Sequence, residues 1–403
     1  MTALKGIKVI DLSRILAGPW ASQMLADFGA EVIKVEKPIS GDDTRYWGPP
    51  FIKEATNEQP PQASYFHSAN RNKQAIAVDI SRSEGQQLIR DLVLQADVFI
   101  ENYKVGGLKK YGLDYDSLKI INPRLVYCSI TGFGQNGPSA HRAGYDAMIQ
   151  AEGGLMSLTG QPDGAPMKVG VAVVDIMTGL YSCNAILAAL MARTHTQAGQ
   201  YIDIALLDVQ VATLANQGLN YLTTKILPNR LGNEHPNIVP YQVFATQDGS
   251  LLLAIGNDAQ FEKFCLLIKR DDLFADQRFS RNEQRVIHRK QLIPILAVEL
   301  ASRNTLWWLT QLEQASIPCG GVNTLAQVFE HPQIKHRKMV KQLANKHGEL
   351  VNSIANPINL SVTPIQYRSA SPELGEHTIA ILTEQLNYTE EKINELLSKG
   401  IIQ

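Results

Sequence analysis

The first part of the chain alternates short apolar runs with segments whose apolar residues recur at helical spacing. Apolar runs at residues 7–12 and 31–36 are typical of buried strands, and residues 19–28 between them have the spacing of a helix that ends at Gly29. A strand, a helix and a strand within about thirty residues form a βαβ unit, whose strands run parallel. The alternation continues with strands at residues 75–80, 97–102 and 124–130 and a helix at residues 83–95. The pattern predicts an α/β fold with a doubly wound parallel sheet and helices on both faces.

The pattern changes after residue 225. Residues 226–236 are rich in Pro, Gly and Asn, which predicts a loop or linker. A hairpin at residues 242–256 and three helices follow, so a smaller α+β domain is expected there. The predicted divisions are residues 1–225 for the large domain, residues 226–325 for the small domain and residues 326–403 for a linker and C-terminal segment.

Composition and charge narrow the classes of function. Apolar residues make up 44% of the chain and charged residues 19%, which is enough apolar content for a sizeable core. The formal net charge of −1 gives the chain no overall field for nucleic acid or an anionic membrane. A charged ligand must therefore be held by a local group of basic residues.

Several features favour a cytoplasmic protein without a metal site. The four cysteines are widely spaced and form no CxxC pair, and the histidines form no HExxH motif. No apolar leader follows the first residues. The uncharged run at residues 176–192 lies at the lower edge of the length that spans a bilayer, so a buried core helix is the preferred interpretation.

Gly132, Gly134 and Gly137 form a GxGxxG pattern after a predicted strand. In a dinucleotide site a helix begins inside this motif and meets the pyrophosphate with its N-terminus. Pro138 follows the third glycine, no apolar helical periodicity comes after it, and no acidic residue ends a second strand downstream. The preferred interpretation is a sharp glycine-rich loop rather than a nicotinamide site.

Asp175 is a single carboxylate at the head of a long apolar run. Asp is a favoured helix N-cap, and a capping role alone would explain it. Where water is excluded, an ionised carboxylate can also attack an activated acyl group. Both roles are compatible, because a helix N-terminus brings N–H dipoles to such a site.

A dispersed set of basic residues includes several that lie just beyond predicted strands. Most of them could be solvated surface side chains, but ligands of parallel sheets bind at the carboxyl ends of the strands. Their recurrence at these ends favours a ligand rich in phosphate. They are Lys37, Arg71, Lys73, Lys104, Lys109, Lys110 and Arg142.

Several blocks together resemble the class III CoA-transferases. The resemblance covers nearly the whole chain in order, and the blocks include DLSRILAGP, ANRNKQAIAVDI, ADVFIENYKVGG, CSITGFGQNGP, AGYDAMIQAEGG and VAVVDIMTG. It implies a Rossmann-like large domain, a small domain, a C-terminus that returns to the large domain, and two chains interlocked as a homodimer. No tightly bound cofactor is implied, because coenzyme A and acyl-CoA are substrates.

The resemblance implies that Asp175, in VVDIMTG, is the nucleophile and forms an aspartyl-CoA thioester during transfer of CoA to a carboxylic acid. It also implies a set of CoA contacts at matching positions, with lysine in place of the family's arginine at Lys37 and Lys110. These contacts are Leu16, Ala17, Lys37, Asn70, Arg71, Asn72, Lys73, Asn102, Tyr103, Lys104, Lys110, Arg142, Ala143, Gly144, Tyr145 and Asp146.

Within the family, acyl-CoA racemases carry His where Tyr145 stands, and a tyrosine with a pKa near ten is a poor proton shuttle at neutral pH. The residues around 229–257 are more similar to the succinyl-CoA:dicarboxylate branch. Arg45 or His235 could then bind the distal carboxylate of a dicarboxylate acceptor. A racemase and a catalytically silent CoA-binding protein remain as alternatives.

Overall fold

The computed structural model describes residues 2–53 and 59–403 and divides them into two compact units. The large unit contains the described residues up to Gly153, together with Val169–Thr213 and Lys335–Gln403. The small unit contains Gly154–Lys168 and Leu214–Ile334.

Thirteen strands form within the described residues. In chain order they are β1 (Lys8–Asp11), β2 (Glu31–Glu36), β3 (Phe51–Lys53), β4 (Gln62–Ala63), β5 (Gln74–Ala77), β6 (Val98–Glu101), β7 (Val126–Thr131), β8 (Tyr201–Ala205), β9 (Tyr241–Ala245), β10 (Ser250–Ala254), β11 (Cys319–Gly321), β12 (Val340–Ala344) and β13 (Leu350–Ile354).

Eighteen α-helices form within the same residues, besides 3₁₀ turns at Asp43–Tyr46 and Lys109–Tyr111. In chain order they are α1 (Ala17–Asp27), α2 (Ser64–His67), α3 (Ser83–Val93), α4 (Tyr115–Ile121), α5 (Asp146–Glu152), α6 (Leu155–Leu158), α7 (Val173–Thr196), α8 (Leu206–Ala212), α9 (Ala215–Thr224), α10 (Asp258–Leu267), α11 (Asp271–Ala275), α12 (Asn282–Ile287), α13 (Arg289–Leu300), α14 (Thr305–Gln314), α15 (Leu325–Glu330), α16 (Pro332–His336), α17 (Thr378–Glu384) and α18 (Glu390–Ser398).

The large unit is built on a six-stranded sheet in the order β5-β2-β1-β6-β7-β8, and every neighbouring pair is parallel. This confirms the predicted doubly wound α/β sheet. The strand order reverses between β1 and β6, and in such sheets ligands bind outside the carboxyl ends of the strands at this switch point. The residues after β1 and β6 are therefore the first place to look for a site.

Side chains of the sheet alternate between two apolar cores. Ile10 of β1 faces the core that contains α3, α17 and α18, whereas Val9 faces the core that contains α1 and α7. Both strand residues are at most 1% exposed. The inner strands β6 and β7 are buried on both faces, which explains their continuous apolar runs in the sequence.

The C-terminal segment Lys335–Gln403 belongs to the large unit. Ile402 forms an isolated antiparallel bridge with Val78, directly after β5. Within this segment β12 and β13 pair as an antiparallel hairpin.

The small unit contains the predicted hairpin of β9 and β10, to which β11 adds an antiparallel third strand. Its bounds differ from the predicted residues 226–325 in three respects. The large unit stops at Thr213, between α8 and α9, rather than at residue 225, and the small unit continues to Ile334 rather than to residue 325. Gly154–Lys168, expected in the large domain, also belongs to the small unit.

Among the described residues, α7 is the one helix with the length and apolar composition of a membrane-crossing segment. In the large unit it packs along α1, and Gly179 makes their closest approach possible. A Cβ on Gly179 would come within 2.7 Å of the Ala17 carbonyl oxygen.

Candidate active site

A cavity of about 410 Å³ opens at the carboxyl ends of β1, β6 and β7, at the switch point of the sheet. Loops after these strands form its wall together with the first turn of α7. The lining includes Arg14, Ile15, Leu16, Ala17, Asp43, Asn102, Tyr103, Lys104, Val105, Gly107, Lys110, Tyr111, Ile130, Thr131, Gly132, Ala140, Arg142, Ala143, Gly144, Tyr145, Asp175 and Leu206. The cavity thus brings Asp175 together with ten of the sixteen predicted CoA contacts.

Asp175 is the third residue of α7 and is 9% exposed. Burial and, to a smaller extent, the neighbouring charge of Asp146 raise the pKa of its carboxyl to about 7. The helix N-terminus favours the ionised form, but here desolvation is the larger effect. The carboxyl is therefore divided between its acid and its carboxylate near neutral pH.

The capping role considered for Asp175 belongs to Asp146 instead. The Asp146 Oδ1 atom accepts hydrogen bonds from the backbone N–H groups of Val174, at 2.8 Å, and Asp175, at 3.3 Å. Its second oxygen accepts from Gln150 at 2.6 Å. Asp146 was predicted as a CoA contact, but it does not line the cavity and acts on the start of α7.

The glycine-rich loop after β7 does not begin a helix, which confirms the loop interpretation of the GxGxxG pattern. Gly132 and Gly144 cross so closely that a Cβ on Gly132 would lie 2.6 Å from the Gly144 backbone. The crossing leaves no room for any side chain at either position. It places the chain at 142–145 beside the cavity and leads directly into α5.

Four cations line the cavity. Arg14 forms an exposed ion pair with Asp43 at 3.0 Å, and Arg142 forms a bidentate pair with Glu152. Within residues 2–53 and 59–403 neither Lys104 nor Lys110 forms an ion pair. These two lysines keep their charge available to an anionic ligand, as their position after β6 predicted.

Asn102 lines the cavity, but both ends of its amide contact the backbone of Arg14. Its Oδ1 atom accepts from the Arg14 N–H at 2.9 Å and its Nδ2 atom donates to the Arg14 carbonyl at 2.7 Å. The Asn102 side chain thereby joins the loop after β1 to the loop after β6.

The predicted contacts at residues 70–73 have interior partners and do not line this cavity. Arg71 forms a bidentate ion pair with Asp27, and Asn72 also donates to this carboxylate at 2.8 Å. Lys73 is 2% exposed and donates to Asp11 at 3.0 Å and to the side chain of Asn70 at 2.8 Å. These side chains are buried and paired inside the protein, which the sequence pattern does not reveal.

The remaining predicted positions also lie away from the cavity wall. Arg45 is fully buried and forms a bidentate pair with Glu36, with bonds of 2.8 and 2.6 Å, which corrects its expected role as a cation for a substrate carboxylate. Lys37 is exposed on the loop after β2. His235 belongs to the small unit, where its ring contacts Tyr241 at 5.2 Å.

Two residues near the nucleophile were missed in the sequence. Arg14 follows β1 and lines the cavity, and the rule that placed Lys104 after β6 would have found it. Tyr65 lies within the electrostatic reach of Asp175. Burial and the charges of Asp175 and Asp146 raise the pKa of Tyr65 to about 12. The sequence around Tyr65 carries no pattern that could have indicated this electrostatic interaction.

Comparisons with known proteins identify the architecture and its family. The model of CoA-transferase family III matches residues 4–378. The chain is 50% identical over 381 residues to a succinate–glutarate CoA-transferase from Agrobacterium fabrum, covering 94% of this chain and 95% of that protein. It is 41% identical to the human succinyl-CoA:glutarate CoA-transferase, covering 99% and 90%.

A solved structure agrees with the fold. The crystal structure of a CaiB/BaiF family protein from Brucella suis superposes with a TM-score of 0.83 at 50% identity, covering 95% of this chain and 99% of that one.

Proposed function

This chain belongs to CoA-transferase family III, and we propose that it transfers CoA from succinyl-CoA to a dicarboxylic acid such as glutarate, with Asp175 as the nucleophile. The chain is an acyl-CoA:carboxylate CoA-transferase. The observation that supports the mechanism is the position of Asp175, a buried carboxyl on the wall of a cavity that Lys104 and Lys110 also line.

The reaction begins when an Asp175 carboxylate oxygen attacks the thioester carbonyl of succinyl-CoA. The carbon–sulfur bond breaks. CoA departs as the thiolate, and a mixed succinyl–aspartyl anhydride forms on Asp175. The thiolate then attacks the aspartyl carbonyl, which releases succinate and forms an aspartyl-CoA thioester. No net proton transfer is needed, because a carboxylate and a thiolate exchange roles.

The second half of the reaction runs the same steps in the opposite direction, with the acceptor in place of succinate. One carboxylate of the acceptor attacks the aspartyl-CoA carbonyl and displaces the thiolate, which forms a second mixed anhydride. The thiolate attacks the acceptor carbonyl, so that the new acyl-CoA leaves and the Asp175 carboxylate is restored. Each step exchanges one acyl bond for another of similar energy, which keeps the reaction reversible.

The side chains around Asp175 have separate roles in this proposal. Lys104 and Lys110 bind phosphate groups of CoA as point charges, without the bidentate geometry of arginine. Asp146 holds the first turn of α7, and so orients the nucleophile through the backbone. Arg142, Ala143, Gly144 and Tyr145 form the neighbouring wall and contact CoA.

Assembly and location complete the proposal. Leu219 and Leu222 of α9 are 57% and 63% exposed, and apolar side chains grouped in this way fit a homodimer interface. All four cysteines are free thiols, which fits a reducing cytoplasm. Sedimentation of the purified chain tests the dimer.

The decisive experiment incubates the chain with succinyl-CoA and glutarate and follows glutaryl-CoA by mass spectrometry. Hydroxylamine added with succinyl-CoA alone should convert Asp175 into its hydroxamate. Asp175→Ala should abolish exchange, whereas Asp208→Ala, at an exposed first-turn aspartate of α8, should leave it unchanged. Full exchange by Asp175→Ala contradicts the mechanism, and CoA binding without exchange indicates a silent binding protein.

A further inference from the structure

Ile15, on the cavity wall, has a backbone conformation that a β-branched residue avoids. Its φ is +72°, in the left-handed region where Cβ crowds the following carbonyl. Such strain persists only where the surroundings impose it. The turn at Ile15 lies between the end of β1 and the start of α1 at Ala17, and no side chain caps that helix.

Two buried charges behind the cavity hold this turn. The carboxylate of Asp42 accepts the Ile15 N–H, with distances of 3.3 and 3.2 Å to its two oxygens. Lys34 donates to Asp42 at 2.9 Å and to the Ser13 carbonyl at 3.1 Å. The pair thereby fixes the peptide groups on both sides of Arg14, and neither Lys34 nor Asp42 lines the cavity.

The pair is itself rigidly placed. Lys34 lies on β2, and both side chains are fully buried. Thr44 donates to Asp42 through its backbone N–H at 3.0 Å and through its hydroxyl at 2.8 Å. Burial opposes ionisation of Asp42, but the charge of Lys34 and these bonds hold the pKa of Asp42 below its usual range. The carboxylate that accepts the Ile15 N–H is therefore charged.

The turn is coupled to the nucleophile through α1. The loop returns on itself so tightly that a Cβ on Gly18 would collide with the Ser13 side chain. Gly179 lies on α7, one turn after Asp175, and packs directly on the Ala17 carbonyl. A shift of the turn at Ile15 would thus move the wall formed by Leu16 and Ala17 relative to Asp175.

We infer that Asp42 and Lys34 are positioning residues: they force Ile15 into the left-handed conformation and so shape the wall on which the CoA substrate binds. This inference rests on the proposed function only in assigning CoA to the cavity. A positioning role can be told apart from a general stabilising role. If residue 15 adopts the left-handed conformation easily, CoA binding should no longer depend on Asp42 and Lys34. Glycine is such a residue.

A double-mutant cycle with free CoA as the probe tests this inference. Titration calorimetry measures the Kd of CoA for the full chain with and without Asp42→Asn, each in the presence and absence of Ile15→Gly. Asp42→Asn alone should weaken binding about tenfold, and in the Ile15→Gly background the loss should fall to about threefold or less. The Tm of each variant is measured in parallel.

Ile39 provides the matched control. It also has a positive φ, of +70°, but it is 81% exposed and lies outside the cavity. Ile39→Gly relieves the same kind of backbone strain and should leave the tenfold loss intact. Equal recovery by Ile39→Gly, or an unchanged Kd in Asp42→Asn, would overturn the inference.

The experiment also remains decisive if a variant does not fold or if the chain does not bind CoA. If Asp42→Asn does not fold, the cycle is repeated with Lys34→Met. If neither folds alone, recovery of folded, CoA-binding protein by Ile15→Gly and not by Ile39→Gly supports the inference, and no recovery overturns it. Failure of the unmodified chain to bind CoA overturns both proposals, whereas CoA binding without transfer contradicts the proposed function alone.

Discussion

Replacing Asp175 by Asn should stabilise the chain above neutral pH, although it removes the proposed nucleophile. The carboxyl is buried against the charge of Asp146, and its pKa is raised from 3.8 to about 7. A raised carboxyl pKa means that the folded chain holds the proton more tightly than the unfolded chain. Stability is therefore lost as the pH rises from the unfolded pKa to the folded one.

The magnitude follows from the size of the shift. At about 1.4 kcal/mol per pKa unit, ionised Asp175 costs the folded state at most about 4 kcal/mol above pH 7. Asn is isosteric and carries no charge, so it avoids this cost, and it forfeits about 0.3–1 kcal/mol of favourable interaction between the charge and the helix N-terminus. We expect Asp175→Asn to raise the free energy of unfolding by about 2–4 kcal/mol at pH 8.

Urea unfolding followed by circular dichroism at several pH values measures this difference. It should grow by about 1.4 kcal/mol per unit between pH 5 and pH 7 and level off above pH 7. Asp116→Asn is the matched control, because Asp116 lies in the first turn of α4 but is exposed. The control should show no such rise. If Asp175→Asn destabilises the chain, or if its effect on the free energy of unfolding does not depend on pH, then Asp175 is not a buried carboxyl with a raised pKa.

Further predictions concern catalysis and packing. The rate of exchange should rise with pH through about 7, because only ionised Asp175 attacks the thioester; a flat profile between pH 6 and 8 would contradict the raised pKa. Lys104→Ala and Lys110→Ala should each raise KM for acyl-CoA about three- to tenfold and leave KM for glutarate unchanged, as measured by initial rates. Gly144→Ala should lower Tm by several degrees, because its Cβ has no space beside Gly132, and a thermal scan showing no change would contradict the crossing. Arg45→Met should cost about 3–5 kcal/mol of stability in urea unfolding, since it leaves Glu36 buried and unpaired.

The sheet could be predicted because the residues that form each strand show a local pattern in the sequence. A strand buried on both faces must be apolar throughout, so β2 and β6 are visible as runs, and glycine after α1 marks the end of that helix. The order of the strands then fixed where ligands bind. Lys104 and Asn102 were found at the cavity for this reason, since they follow a strand at the switch point.

The errors concern side chains whose role depends on the third dimension. Arg71 and Lys73 have the residue types of a phosphate site, but carboxylates far away in the sequence neutralise them in the core. Arg45 is likewise paired inside the protein. Residue type and sequence position could not distinguish a cation that faces a cavity from one that faces a buried carboxylate. Asp146 shows the same limit, since its hydrogen bonds to α7 span 28 residues.

Asp146 links the two properties that the proposed nucleophile needs. Its carboxylate fixes the start of α7, and its charge adds to the burial that raises the pKa of Asp175. A carboxylate of higher basicity is the better nucleophile, at the cost of being partly protonated near pH 7. The loss of active fraction is about twofold at a pKa of 7, whereas burial removes the water that would hydrolyse an anhydride. Removing the charge with Asp146→Asn, which can still accept through its amide oxygen, should therefore shift the pH profile of exchange toward acid and lower the maximal rate. A lower rate with an unshifted profile would mean that Asp146 acts through geometry alone.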